Sequence, residues 1–134
     1  MRANPLTTHS NAGIAAKNVK LAAEIHSFED AAAFLEGTWQ KPLAKHMMVT
    51  VSRAVDGDQA KPTAISVWLY DTCILVYHES RKVVADNGGF NTPTTTCRLN
   101  MVAPAGVHFF HEHKKLRAMT GGMSKHQALE IVQR

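Results

Sequence analysis

The chain has 134 residues, 45% of them hydrophobic, with 15 Lys/Arg against 11 Asp/Glu and a formal net charge of +4. That length suits one domain with a core built without staples, and the apolar content excludes a disordered chain. No apolar run approaches the ~20 residues a membrane-spanning helix requires, and the opening MRANPLTTHSNAG lacks the apolar stretch expected of a signal peptide.

Residues 1–26 read as an N-terminal arm or edge strand. Residues 1–17 show no strong period. In NVKLAAEIH, Val19, Leu21, Ala23 and Ile25 alternate as in a strand, although Lys20, Ala22 and Ala23 also suit a helix. A compact domain is expected over residues 27–120. SFEDAAAFLEG opens it as a helix: Ser27 caps, Glu29 and Asp30 complement the positive end of the dipole, and Gly37 stops it. Phe28, Ala31, Ala32 and Leu35 then share the face that packs on a sheet. HMMVTVSR alternates as a strand, AVDGDQAKP supplies turn chemistry, and AISVWLY puts Ile65, Val67 and Leu69 opposite Trp68 and Tyr70. TCILVYH and KVVAD, separated by ESR, read as a hairpin. VHFFHEHKKLRAM reads as a last strand. Residues 121–134 read as a basic C-terminal helix, SKHQALEIVQR capped by Ser124. The expected fold class is α+β: a small antiparallel β-meander with two or three short helices on one face.

The densest stretch is DNGGFNTPTTTCRLN, residues 86–100. Gly88 and Gly89 permit positive φ after a strand, Phe90 is expected to pin the loop to the core, and Pro93 keeps Thr92 extended. Thr94 is the expected N-cap of a short helix carrying Leu99 and Val102 inward, with Arg98 and Asn100 on its flanks. Such a strand–turn–helix corner presents N–H groups and hydroxyls, so Gly88, Gly89, Thr94, Thr95, Thr96, Arg98 and Asn100 are candidates for binding an anion or a partner. The alternative is wholly structural: glycines that bulge, threonines that cap and an arginine that braces. The spacing is not that of a P-loop.

The segment Leu69 to Asn100 resembles a family of small uncharacterised proteins encoded by tailed bacteriophages, in which a hairpin leads into Gly-Gly-aromatic, Thr-x-Thr-Thr and Arg-Leu/Ile-Asn. Gly88, Gly89, Phe90, Thr92, Thr94, Thr95, Arg98, Leu99 and Asn100 carry the likeness. It extends over roughly residues 64–113, and the Pro-broken MVAPAG and the histidine-rich VHFFHEH depart from it. The resemblance implies a phage origin, action in the host cytoplasm and a shared corner. It implies no particular activity.

The positive excess lies entirely in residues 113–134, where Lys114, Lys115, Arg117, Lys125 and Arg134 face Glu130 alone. Lys114, Lys115 and Arg117 form a candidate basic patch for phosphate or an acidic partner, or else a solvated end that aids solubility. His111 and His113 share a strand face with Phe109, but no HExxH or CxxC completes a metal site, so no metal or other cofactor is expected. Cys73 and Cys97 read as reduced, inert thiols, and no catalytic motif stands out, so the chain is expected not to be an enzyme. Two readings follow. One is an accessory protein that binds a host or phage protein complex. The other is a small protein that binds single-stranded nucleic acid with its basic end and the strand aromatics Trp68, Tyr70, Phe109 and Phe110. A minor virion component able to form a homo-oligomer is a third, and no membrane association is expected.

Overall fold

The computed structural model describes residues 25–53 and 62–132. The first helix, α1 (Phe28–Leu35), begins where the sequence places it: extended Ser27 accepts the Asp30 N–H at 3.0 Å through its hydroxyl. Asp30 returns the favour to the backbone N–H of His26, so each side of the helix start is closed. The helix ends at Glu36, whose left-handed φ of 52° turns its N–H back onto the carbonyls of Ala32 and Ala33. Ala31, Phe34 and Leu35 are buried, so the inward stripe lies one residue round from the Phe28–Ala32 edge that periodicity favours.

A meander follows: β1 (Gln40–Ala44), β2 (Met47–Arg53), β3 (Pro62–Leu69), β4 (Thr72–His78) and β5 (Lys82–Ala85), each antiparallel to its neighbour. Across them the register aligns Val49 with Val67, Ile65 with Tyr77, and Tyr77 with Val83, giving one buried face. The chain then leaves the sheet for helix α2 (Pro93–Met101) and a two-stranded ribbon, β6 (His108–Glu112) with β7 (Lys115–Met119). It returns as β8 (Ala128–Ile131), which pairs with β5 in parallel and completes a six-stranded sheet. Inward residues of both helices, the meander and the ribbon (Leu99, Val102, Phe109 and Leu116 among them) form one core. The α+β meander with helices on one face is therefore the observed architecture.

Three details differ from the sequence reading. The last strand is a hairpin, because His113 and Lys114 both take left-handed φ (52° and 65°) and reverse the chain in a two-residue turn. The C-terminal helix is instead β8. Its Ala, Leu, Glu and Gln favour helix locally, but four residues of pairing with β5, and a Lys82–Glu130 bridge at 2.9 Å, override that preference. Tyr70 belongs to the β3–β4 turn, at φ 55°, rather than to the strand. The arm and the strand-like NVKLAAEIH lie outside the described residues as far as residue 24. Ile25 and His26, which follow, are not in a strand.

Tyr77 ties the layers together. Its hydroxyl, buried under the helices, donates its one proton to the Val102 carbonyl, with the Ile25 carbonyl 3.2 Å from the same oxygen. Burial, with a smaller contribution from the Asp30 charge, pushes its pKa upward, so the native state holds the neutral phenol. A raised folded pKa means stability that is full below the unfolded value and lost as pH climbs past it. Between about pH 9 and about pH 11, wild type should lose on the order of 1 kcal/mol more stability than Tyr77→Phe, read by denaturant titration. At neutral pH that variant should itself be ~1–3 kcal/mol less stable, because the buried Val102 carbonyl loses its donor. Equal pH slopes for the two proteins would remove Tyr77 from this role.

Candidate functional site

The site begins where β5 ends. Asp86 Oδ1 accepts the Gly88 N–H at 2.7 Å, Asn87 Oδ1 accepts the Gly89 N–H at 2.8 Å, and the Asn87 carbonyl accepts the Phe90 N–H at 2.9 Å. Both glycines need positive φ, 65° and 90°. Gly88 also lies so close to Thr72 that a Cβ would overlap its methyl. The N-cap of α2 is Thr92 rather than Thr94: its hydroxyl accepts the Thr95 N–H at 3.2 Å, and Pro93 takes the first helical position, where no N–H is wanted. Thr96 N–H bonds the Thr92 carbonyl.

The donors proposed for an anion cradle are thus bonded within the corner: the N–H groups of Gly88, Gly89 and Thr95 all have internal acceptors. Thr94 is exposed and Thr95 buried. Arg98 keeps company with sulfur instead of the glycines, its Nη1 lying 3.8 Å from Met101 Sδ and 4.0 Å from Met47 Sδ. Asn100 reaches the ribbon, where it accepts the Phe109 N–H at 2.7 Å and donates to the Phe109 carbonyl at 3.0 Å. Phe90 does not pin the loop: it is 56% exposed.

What the sequence separates by some 25 residues, the fold brings together. The β6–β7 ribbon folds back so that its tip meets the corner. Asn87, Gly89 and Asn91 from the corner, Lys114, Lys115 and Leu116 from the ribbon, and Val132 after β8 line a cleft of about 140 Å³. That volume admits several waters or one small anionic group. Among the described residues no carboxylate side chain lines it. The two basic-patch lysines and the glycine corner are therefore one site, while Arg117 stands on the ribbon's outer face, 3.8 Å from Glu112.

His111 locks this arrangement. Gly89 N–H fixes the Asn87 amide with Oδ1 inward, so Asn87 Nδ2 donates to His111 Nε2 at 3.2 Å. His111 Nδ1–H then donates to Thr96 Oγ1 at 2.8 Å, and that hydroxyl donates on to the Thr92 carbonyl. The second amide proton of Asn87 goes to Asn91 Oδ1 at 3.2 Å, so the chain is a brace, and Thr96 is not poised as a nucleophile. As expected, His111 shares the inner face with Phe109, whereas His113 sits in the turn and His108 is exposed on the outer face. Among the described residues no group of three or more His, Cys, Asp or Glu side chains comes together to hold a metal. Cys73 and Cys97 are free thiols, and burial pushes the Cys73 thiol upward, away from the reactive thiolate.

Of the strand aromatics, Phe109 is core, Trp68 is half-buried with its Nε1–H on Thr50 Oγ1 at 2.9 Å, and Tyr70 stacks on His46 with ring centroids 4.5 Å apart. Phe110 alone among them stands beside the basic residues, directly across from Arg117. No helix of the described residues is long and apolar enough to cross a membrane. No protein-family model matches the chain, and neither a curated protein nor a solved structure matches it.

Proposed function

We propose that the protein is a non-catalytic binder of nucleic acid that seats a backbone phosphate in the cleft between the glycine corner and the ribbon tip. One observation carries the reading: Lys114 and Lys115 line a polar cleft, and among the described residues no carboxylate lines it with them. The turn that presents them supports it. His113 and Lys114 hold left-handed φ without being glycine or asparagine, at a cost of ~1–2 kcal/mol per residue, where Asn-Gly would relieve the strain. The likeness to the phage family supports a setting in the cytoplasm of an infected cell.

The test is fluorescence anisotropy with a labelled oligonucleotide across a salt series. Lys114→Ala/Lys115→Ala should bind at least ~10-fold more weakly at low salt, and the slope of log K against log salt should flatten by ~1.4–1.8 for two lost phosphate contacts. Unchanged affinity and slope would overturn the reading. A second reading, docking on a host or phage protein complex, is favoured by another observation. His46 and Tyr70 stack at the β3–β4 turn, and Tyr70 is 66% exposed. Exposed aromatics of this kind anchor protein interfaces. Capture of one stoichiometric complex that survives nuclease and moderate salt, and is lost in Tyr70→Ala, would establish it.

A further inference from the structure

The outer face of the ribbon points to the class of nucleic acid. This inference rests on the phosphate-cleft reading and deepens it. Strand alternation sends Phe109, His111, Leu116 and Ala118 inward, leaving His108, Phe110 and Glu112 of β6 and Lys115, Arg117 and Met119 of β7 facing out. The direction of Phe110 is fixed: Asn100 holds both backbone groups of Phe109, and the buried Phe109 side chain anchors the strand. Phe110 is half-exposed and directly opposite Arg117, and Met119, 58% exposed, adjoins it opposite His108. Three cations (Lys114, Lys115 and Arg117) meet one carboxylate, Glu112, so the face carries a positive surplus that suits a polyanion.

We infer that this face binds single-stranded nucleic acid, one base stacking on Phe110 while the neighbouring phosphates run over Arg117 to the Lys114/Lys115 cleft. The chemistry at the centre of the face favours a single strand over a duplex. A β-ribbon that reads a major groove places hydrogen-bonding side chains against base edges. Here the central outward rung pairs the Phe110 ring with Arg117, and the Met119 thioether lies on the adjoining end rung. Ring and thioether offer a surface to an unstacked base, and the single base-edge donor between them, Arg117, is already drawn toward Glu112 at 3.8 Å. Every base has a π-face, so the site is expected to be tolerant of sequence. Glu112, 3.8 Å from Arg117, competes with phosphate for that guanidinium.

The experiment compares a labelled single strand of about 12 nucleotides, within the usual footprint of such surfaces, with the duplex of the same sequence. The single strand should bind at least ~10-fold more tightly. Phe110→Ala should weaken single-strand binding by ~10-fold, Phe110→Tyr should retain it, and Glu112→Gln should tighten it a few-fold. Duplex binding as tight as single-strand binding, or Phe110→Ala binding like wild type while Lys114→Ala/Lys115→Ala does not, sinks the single-strand inference and leaves the phosphate cleft standing. Failure of wild type to bind either form at low salt overturns both.

Discussion

Gly106→Ala should destabilise the protein by about 3 kcal/mol, and Gly122→Ala by no more than about 1 kcal/mol, although the two glycines touch each other. Gly106 lies in the connection from α2 to β6, at φ 83°. A Cβ there would overlap the Gly122 carbonyl and stand 2.6 Å from Met123 N, so backbone has to move. A Cβ on Gly122 meets Gly106 Cα at 3.3 Å and needs only a few tenths of an ångström of relief. Gly122 belongs to the connection that carries the chain from β7 to β8, closed by the Met123 N–H on the Thr120 carbonyl at 3.0 Å. Forcing the two loops apart therefore acts on β8, a four-residue edge strand held by its pairing with β5. In denaturant melts the Gly106 variant should lose the larger share of stability. Hydrogen exchange should locate the loss first at Ala128–Ile131. Equal losses for the two alanines would mean that the close approach does not constrain the fold.

The sequence displays the parts of this fold whose determinants are local. Ser27 with Asp30 three residues on is a helix start, and alternation through Met47–Val51 and Ile65–Leu69 marks one buried face. The α2 cap was also within reach: Pro93 favours the first helical position, which assigns the cap to Thr92 and not to Thr94. Other features depend on residues far apart. His-Lys is no turn signature, so the ribbon's reversal is set by what its strands pack on, and β8 is a strand only because β5 is there to receive it. The cleft is the clearest case. Its glycine corner and its lysines are both conspicuous in the sequence, yet nothing local says that the ribbon folds back to join them, or that Arg98 turns to Met47 and Met101 instead. Nor does spacing reveal that the corner uses its own donors, because that follows from the Asp86 and Asn87 side chains closing on the loop.

Asn100→Ala should be the substitution that separates the ribbon from the rest of the molecule. The Asn100 amide does for Phe109 what a neighbouring strand would do. It accepts the Phe109 N–H at 2.7 Å and donates to the Phe109 carbonyl at 3.0 Å, on the flank of β6 that β7 does not cover. Phe109 is fully buried, so water cannot easily replace either bond. Removing the amide leaves a donor and an acceptor unpaired, a loss of ~2–4 kcal/mol at the usual cost of each. Asn100→Asp should recover little of it: the carboxylate still accepts from the N–H, but its second oxygen meets the Phe109 carbonyl, oxygen against oxygen. Denaturant titration of the three proteins checks the ranking, and an aspartate variant as stable as wild type would show that the bond to the carbonyl is dispensable. The same clasp sets the register from which Phe110 faces outward and Lys114 and Lys115 reach the corner. Below its melting transition, Asn100→Ala should therefore still bind single strands more weakly than wild type, and the contact of His111 with Thr96 should loosen with it. Wild-type affinity in the folded variant would instead mean that His111, through Asn87 and Thr96, is sufficient to hold the ribbon tip at the cleft.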